Sequence, residues 1–158
     1  MPTTINSPTD STHEATRVQI EKNMNNTGII TNNRGNRQCR IQGGSAKTIG
    51  CIYAGRCKKH DFTSVGQTGG PLNVRFNGHK TDIKLRPYRT ELDNHFHQHG
   101  CSFENDLEIS ILEQVTGSES LRLYKEDKWM TRLNTTHPHG LNKRVGEFGH
   151  VYRNLYSD

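Results

Sequence analysis

The chain has 158 residues, of which 30% are apolar, and carries 21 Lys and Arg against 16 Asp and Glu, a formal net charge of +5. This is material for one domain with tails, and apolar runs of three or four residues are far short of the ~20 needed to span a bilayer, which argues against a membrane role. The start lacks a charged-then-apolar signal pattern and Cys39, Cys51, Cys57 and Cys101 do not mark a secreted disulfide scaffold, so the expectation is a soluble intracellular protein, nuclear or cytoplasmic, with reduced thiols.

Residues 1–46 are rich in Ser, Thr, Asn and Gly, with Val18, Ile20, Ile29 and Ile30 as scattered apolar positions. So little apolar surface does not offset the entropy of ordering a chain, which predicts a disordered polar and basic tail with a transient turn around Glu14–Met24. Between Arg34 and Lys59 the basic residues Arg34, Arg37, Arg40, Lys47, Arg56, Lys58 and Lys59 occur with no acidic residue among them. The stretch suits a polyanion, and equally a solvated linker.

Two extended segments follow, Cys51–Arg56 and Phe62–Gln67, joined by a tight polar turn as in a hairpin. Alternation sets Tyr53 on the opposite sheet face from Ile52 and Ala54. Gly66 permits a close backbone approach, and Gly69 and Gly70 let the chain turn into a helix from about Pro71 to Ile83. Leu72, Phe76 and Ile83 form the buried stripe of that helix, while Arg75 and His79, four apart, share a flank. Another short helix spans Glu91 to His99 and contains His95. Leu107–Ile111 alternates strictly, as a half-buried third strand does.

The last helix, capped by Ser118, carries Glu126 on the same face as Arg122, Trp129, Met130 and Leu133. A carboxylate on an apolar face needs a partner, either Arg122 in an intrahelical pair or a metal ion. Residues 143–158 read as a C-terminal extension. The fold class expected is α+β, a three-stranded antiparallel sheet flanked by helices.

Cys51-Ile52-Tyr53, then Ser64-Val65-Gly66-Gln67-Thr68, Leu72, Arg75 and His79 resemble the GIY-YIG nuclease domain. His95-Phe96, Arg122 and Glu126 with Trp129, and the ending Pro138-His139-Gly140-Leu141-Asn142, are most similar to the endonuclease of Penelope-like retroelements. The resemblance covers residues 47–142. It implies a metal-dependent DNA endonuclease that nicks its substrate, in which Arg75 steadies the scissile phosphate, Glu126 holds one Mg²⁺, Tyr53 acts on the attacking water, and Asn142 shapes the site with Gly66 and His79. Arg56, Lys58, Lys59 and Lys80 are the expected nucleic-acid contacts.

Ser64 stands where the family has its second tyrosine. A hydroxyl lacks the reach and acidity of a phenol, so the expectation is an impaired nuclease, with a degenerate non-cleaving nucleic-acid-binding module as the alternative. The retroelement subgroup also carries a metal-binding Cys-x-x-Cys completed by two histidines. Here Cys57 and His60 occupy those two positions, and Cys57, His60, His79 and His95 are the candidate Zn²⁺ ligands. A zinc-stabilised interaction domain is a third reading. The resemblance further implies a nuclear setting and a reverse transcriptase domain, for which this chain holds no segment.

Overall fold

The computed structural model describes residues 8–143. In chain order these form α1 (Pro8–Asn23), β1 (Ile29–Asn32), β2 (Arg37–Arg40), β3 (Ile49–Cys57), β4 (Phe62–Pro71), α2 (Leu72–Leu85), a single 3-10 turn (Pro87–Arg89), α3 (Glu91–His99), α4 (Phe103–Asp106), β5 (Leu107–Gln114) and α5 (Glu119–Leu133). Among the described residues, no helix is long and apolar enough to cross a membrane.

The expected architecture is present: β4, β3 and β5 make an antiparallel sheet with β3 at its centre. The alternation of β3 divides two cores. Tyr53 and Cys57 face α2 and α3, packing with Leu72, Phe76, Leu92 and Phe96. Ile52 and Ala54 face α5, packing with Trp129 and Leu133. The pairing of β3 with β5 shifts register between Ile52 and Tyr53, an irregularity immediately beside the site described below.

The helices begin where the sequence offers caps. Ser118 accepts from the Leu121 N–H and Thr90 from the Asp93 N–H. Pro71 precedes α2, which runs slightly past its expected end and buries Leu72, Phe76, His79 and Asp82. His79 thus belongs to the buried stripe of the helix, not only to its flank.

The expectation of a disordered tail over residues 1–46 is wrong from Pro8 onward. α1 and the β1–β2 hairpin are folded, with Ile20, Met24, Ile30 and Ala46 buried. Hydropathy underestimates this segment for two reasons. Its few apolar side chains insert into cores that other elements already supply, and its polar residues make backbone-like bonds. Asn32, fully buried, donates to the carbonyls of Leu133 and Asn134 at the end of α5. The Asn25 N–H donates to Ile109 O, and the Gln42 and Gly43 N–H groups to Leu112 O and Ile111 O, so the segment covers the free edge of β5. The expected extension, except for Lys143, lies outside the described residues.

Candidate active site and metal centre

β4 is an edge strand, and a cleft of about 380 Å³ opens along it between α2 and α3 on one side and α5 on the other. Tyr53, Ser64, Gly66, Arg75, His79, Glu126 and Asn142 all line it. Tyr53 lies on the central strand and reaches this edge only by passing over β4. Its register partner is Gly66, and a Cβ there would stand 2.6 Å from the Tyr53 Cζ and hydroxyl oxygen. The glycine is required by the ring lying against it.

The Tyr53 hydroxyl is 2.9 Å from His79 Nε2, and His79 Nδ1 is 2.7 Å from Asp93 Oδ1. Burial pushes the phenol well above its ordinary range, with Arg75 beside it acting in the opposite direction. Burial holds the His79 imidazole below its usual value despite the bond to Asp93. The neutral ring facing a carboxylate carries its proton on Nδ1, so Nε2 accepts from the Tyr53 O–H. Asp93 was absent from the sequence reading. It lies on another helix, and no local spacing relates it to His79.

Across the cleft, burial and the neighbouring Asp127 push the Glu126 carboxyl up to about 7, opposed by Arg75. The intrahelical pair weighed for Glu126 is not what Arg122 forms. Its guanidinium donates to Gln67 Oε1 on β4 and to Gly117 O. A half-buried carboxyl that resists ionisation in a cleft fits a divalent cation, whose charge favours the ionised form, and an oxygen donor suits a hard ion. Asn142 holds β4 in place: its side chain accepts from the Val65 N–H and donates to the Val65 carbonyl, like one rung of an added strand.

A second constellation forms behind the hairpin turn. Cys57, His60, His95 and Cys101 place one ligand atom each within 4.8 Å of one another. His79, expected among these ligands, is committed to Tyr53 and Asp93 instead, and Cys101 takes its place. The reason is topological: His79 is buried under the centre of the sheet, whereas Cys101 follows the left-handed Gly100 cap of α3 back towards Cys57.

Cys57 and Cys101 Sγ are 3.6 Å apart and each is 3.5 Å from His60 Nδ1. Tetrahedral bonds of about 2.0–2.3 Å put neighbouring ligand atoms ~3.3–3.8 Å apart, so the set fits a four-coordinate thiolate and imidazole site. His95 Nε2 is buried without a hydrogen-bond partner among the described residues. Burial, reinforced by His99, His60 and Arg34, brings the His95 imidazole down to about 4 and keeps it neutral, as a ligand must be. Burial and Cys57 push the Cys101 thiol up to about 11, so a bound metal displaces its proton.

The expected nucleic-acid contacts divide. Lys58 and Lys59 are exposed at the hairpin turn. Arg56 is half-buried and bonds to Asp61 and Glu108, and Lys80 lies 3.6 Å from Glu104.

No protein-family model matches the chain, and no curated protein matches it. Two solved structures do. The catalytic domain of intron endonuclease I-TevI, in a mutant form, aligns with 59% of this chain and 91% of its own length at 24% identity and a TM-score of 0.50. The catalytic domain of homing endonuclease I-TevI aligns with 60% of this chain and 98% of its own at 23% identity and a TM-score of 0.49. At such identity the likeness is one of fold, and the first of these carries it. The three-stranded sheet with flanking helices is an architecture this chain shares with a solved domain.

Proposed function

We propose that this protein is a metal-dependent DNA endonuclease of the GIY-YIG type, related to the enzymes of Penelope-like retroelements and therefore acting in a nucleus beside a reverse transcriptase domain. One observation carries the reading: Tyr53, Arg75, His79 and Glu126, separated in sequence, line a single cleft on a fold shared with an endonuclease catalytic domain. Lys58 and Lys59 supply exposed positive charge for the phosphate backbone.

Glu126 is the carboxylate that would hold Mg²⁺, which when bound neutralises charge on the phosphate and the leaving oxygen. Arg75 offers a forked donor to the phosphate oxygens. Tyr53 orients the attacking water and takes its proton as its own passes to His79 Nε2. The water oxygen forms the new bond to phosphorus, the bond to the departing sugar oxygen breaks, and that oxygen takes a proton from solvent. Cys57, His60, His95 and Cys101 would hold Zn²⁺ in a structural role, tying the β3–β4 turn to α3.

Ser64 favours the second reading, a module that binds nucleic acid without cutting it. It lines the cleft half-buried, in the place of the phenol the family uses. Incubation of the protein with supercoiled plasmid and Mg²⁺ separates the two readings. Nicking by the parent, lost in Glu126→Gln and enhanced in Ser64→Tyr, is the expected result; equal amounts of nicked DNA with the parent and Glu126→Gln, both binding plasmid, would establish the non-cleaving module.

A further inference from the structure

We propose, on the nuclease reading above, that Asp93 is a positioning residue that fixes the tautomer of His79 and so directs the Tyr53 proton. Asp93 is fully buried, at the third position of α3, where its N–H is held by the Thr90 hydroxyl. Its Oδ1 accepts from His79 Nδ1 at 2.7 Å, while its Oδ2 is buried with no hydrogen-bond partner among the described residues. A carboxylate kept only for packing would be expected to have both oxygens satisfied, since a bare buried acceptor costs stability. Here one oxygen serves the imidazole and the start of a helix stabilises the charge.

The consequence is a three-membered chain. The Asp93 carboxylate requires a proton on Nδ1, which leaves Nε2 as an acceptor pointed at the Tyr53 hydroxyl. When the Tyr53 proton moves to Nε2, both ring nitrogens carry hydrogen, and the resulting imidazolium faces a buried anion rather than solvent. The Tyr53 oxygen is then free to receive the proton of the attacking water, so one proton enters the phenol as one leaves it. Reversing the tautomer would place a hydrogen on Nε2, turn the phenol into an acceptor, and close this route. Phe76, with its ring centroid 4.9 Å from that of His79, limits the room the imidazole has to rotate.

The test combines ¹⁵N-histidine NMR with steady-state nicking of supercoiled plasmid in Mg²⁺, using the full chain, Asp93→Asn and Asp93→Glu. The parent is expected to show His79 protonated at Nδ1 and bare at Nε2. In Asp93→Asn, whose amide can donate to Nδ1, the Nε2–H tautomer appears and kcat falls by roughly 10²–10⁴-fold with KM unchanged, as for other histidines whose carboxylate partner orients them. Asp93→Glu restores part of both signals. An Nε2–H tautomer in the parent overturns the proposal, and that spectrum decides even if Asp93→Asn fails to fold. So does Asp93→Asn with the parent tautomer, whether its activity is kept or lost. A parent that does not nick at all defeats the nuclease reading, while its spectrum still reports on Asp93.

Discussion

His79 on α2 and His95 on α3 are both buried imidazoles whose protonation is held down by burial, and they differ in what their ring nitrogens meet. His79 has a partner on each side, a phenol and a carboxylate. His95 Nε2 has no hydrogen-bond partner among the described residues and lies in a group with two thiols and another imidazole. A histidine with both nitrogens satisfied is a fixed link in a hydrogen-bond chain, whereas one left bare in a buried cluster of soft donors has the character of a metal ligand. The difference separates two histidine environments only a helix apart.

The cysteine and histidine cluster should give the largest response. Cys101→Ser is expected to abolish stoichiometric zinc in protein purified without a polyhistidine tag. It should also lower Tm by roughly 10 °C or more, since a structural zinc contributes several kcal/mol of folding free energy. Metal analysis with a thermal melt checks both. A parent with no zinc would remove the distinction drawn for His95.

His79→Gln is the complementary experiment. Zinc content should stay at the parent level while plasmid nicking falls roughly 10²–10⁴-fold, the range that general acid–base groups supply. The pH response sharpens the contrast further. The unfolded chain binds a proton on this histidine near its ordinary value of 6.5, and the folded chain only at lower pH. Protonation therefore favours the unfolded state, and the His79 contribution to stability is present above 6.5 and lost as pH falls through the window below it. Denaturant melts across that window should show a shallower pH slope in His79→Gln than in the parent.

The smallest effect expected is that of Gly66→Ala. Its Cβ meets the Tyr53 ring at 2.6 Å, so the ring must move off β4, at a cost of about 1–3 kcal/mol in overpacking. Calorimetry should show a modest drop in Tm with zinc retained, and nicking should fall out of proportion to it, because the displaced phenol parts from His79.

Much of this was legible in local patterns. The β3–β4 hairpin, α2, α3, β5 and α5 follow from alternation, caps and glycine punctuation, since those signals act over a few residues. The face of Tyr53 was readable for the same reason. Two kinds of fact were not. The folded order of residues 8–46 depends on cores that other segments build, and on Asn32 and the 42–43 backbone bonding to elements far along the chain. The membership of each polar cluster depended on which residues of α2 and α3 meet over the sheet.

Residue types and spacing by themselves determined the hairpin-then-helix order, the presence of Tyr53, Arg75, His79 and Glu126, and the supply of thiols and imidazoles for a metal. Only the tertiary structure decided that His79 pairs with Asp93 rather than with the thiols, and that Cys101 completes the cluster. An imidazole looks the same in sequence whether it will relay a proton or bind a metal. Its role is set by which donors and acceptors the packing brings within about 3 Å of each ring nitrogen, and those come from segments that the chain's local order does not connect.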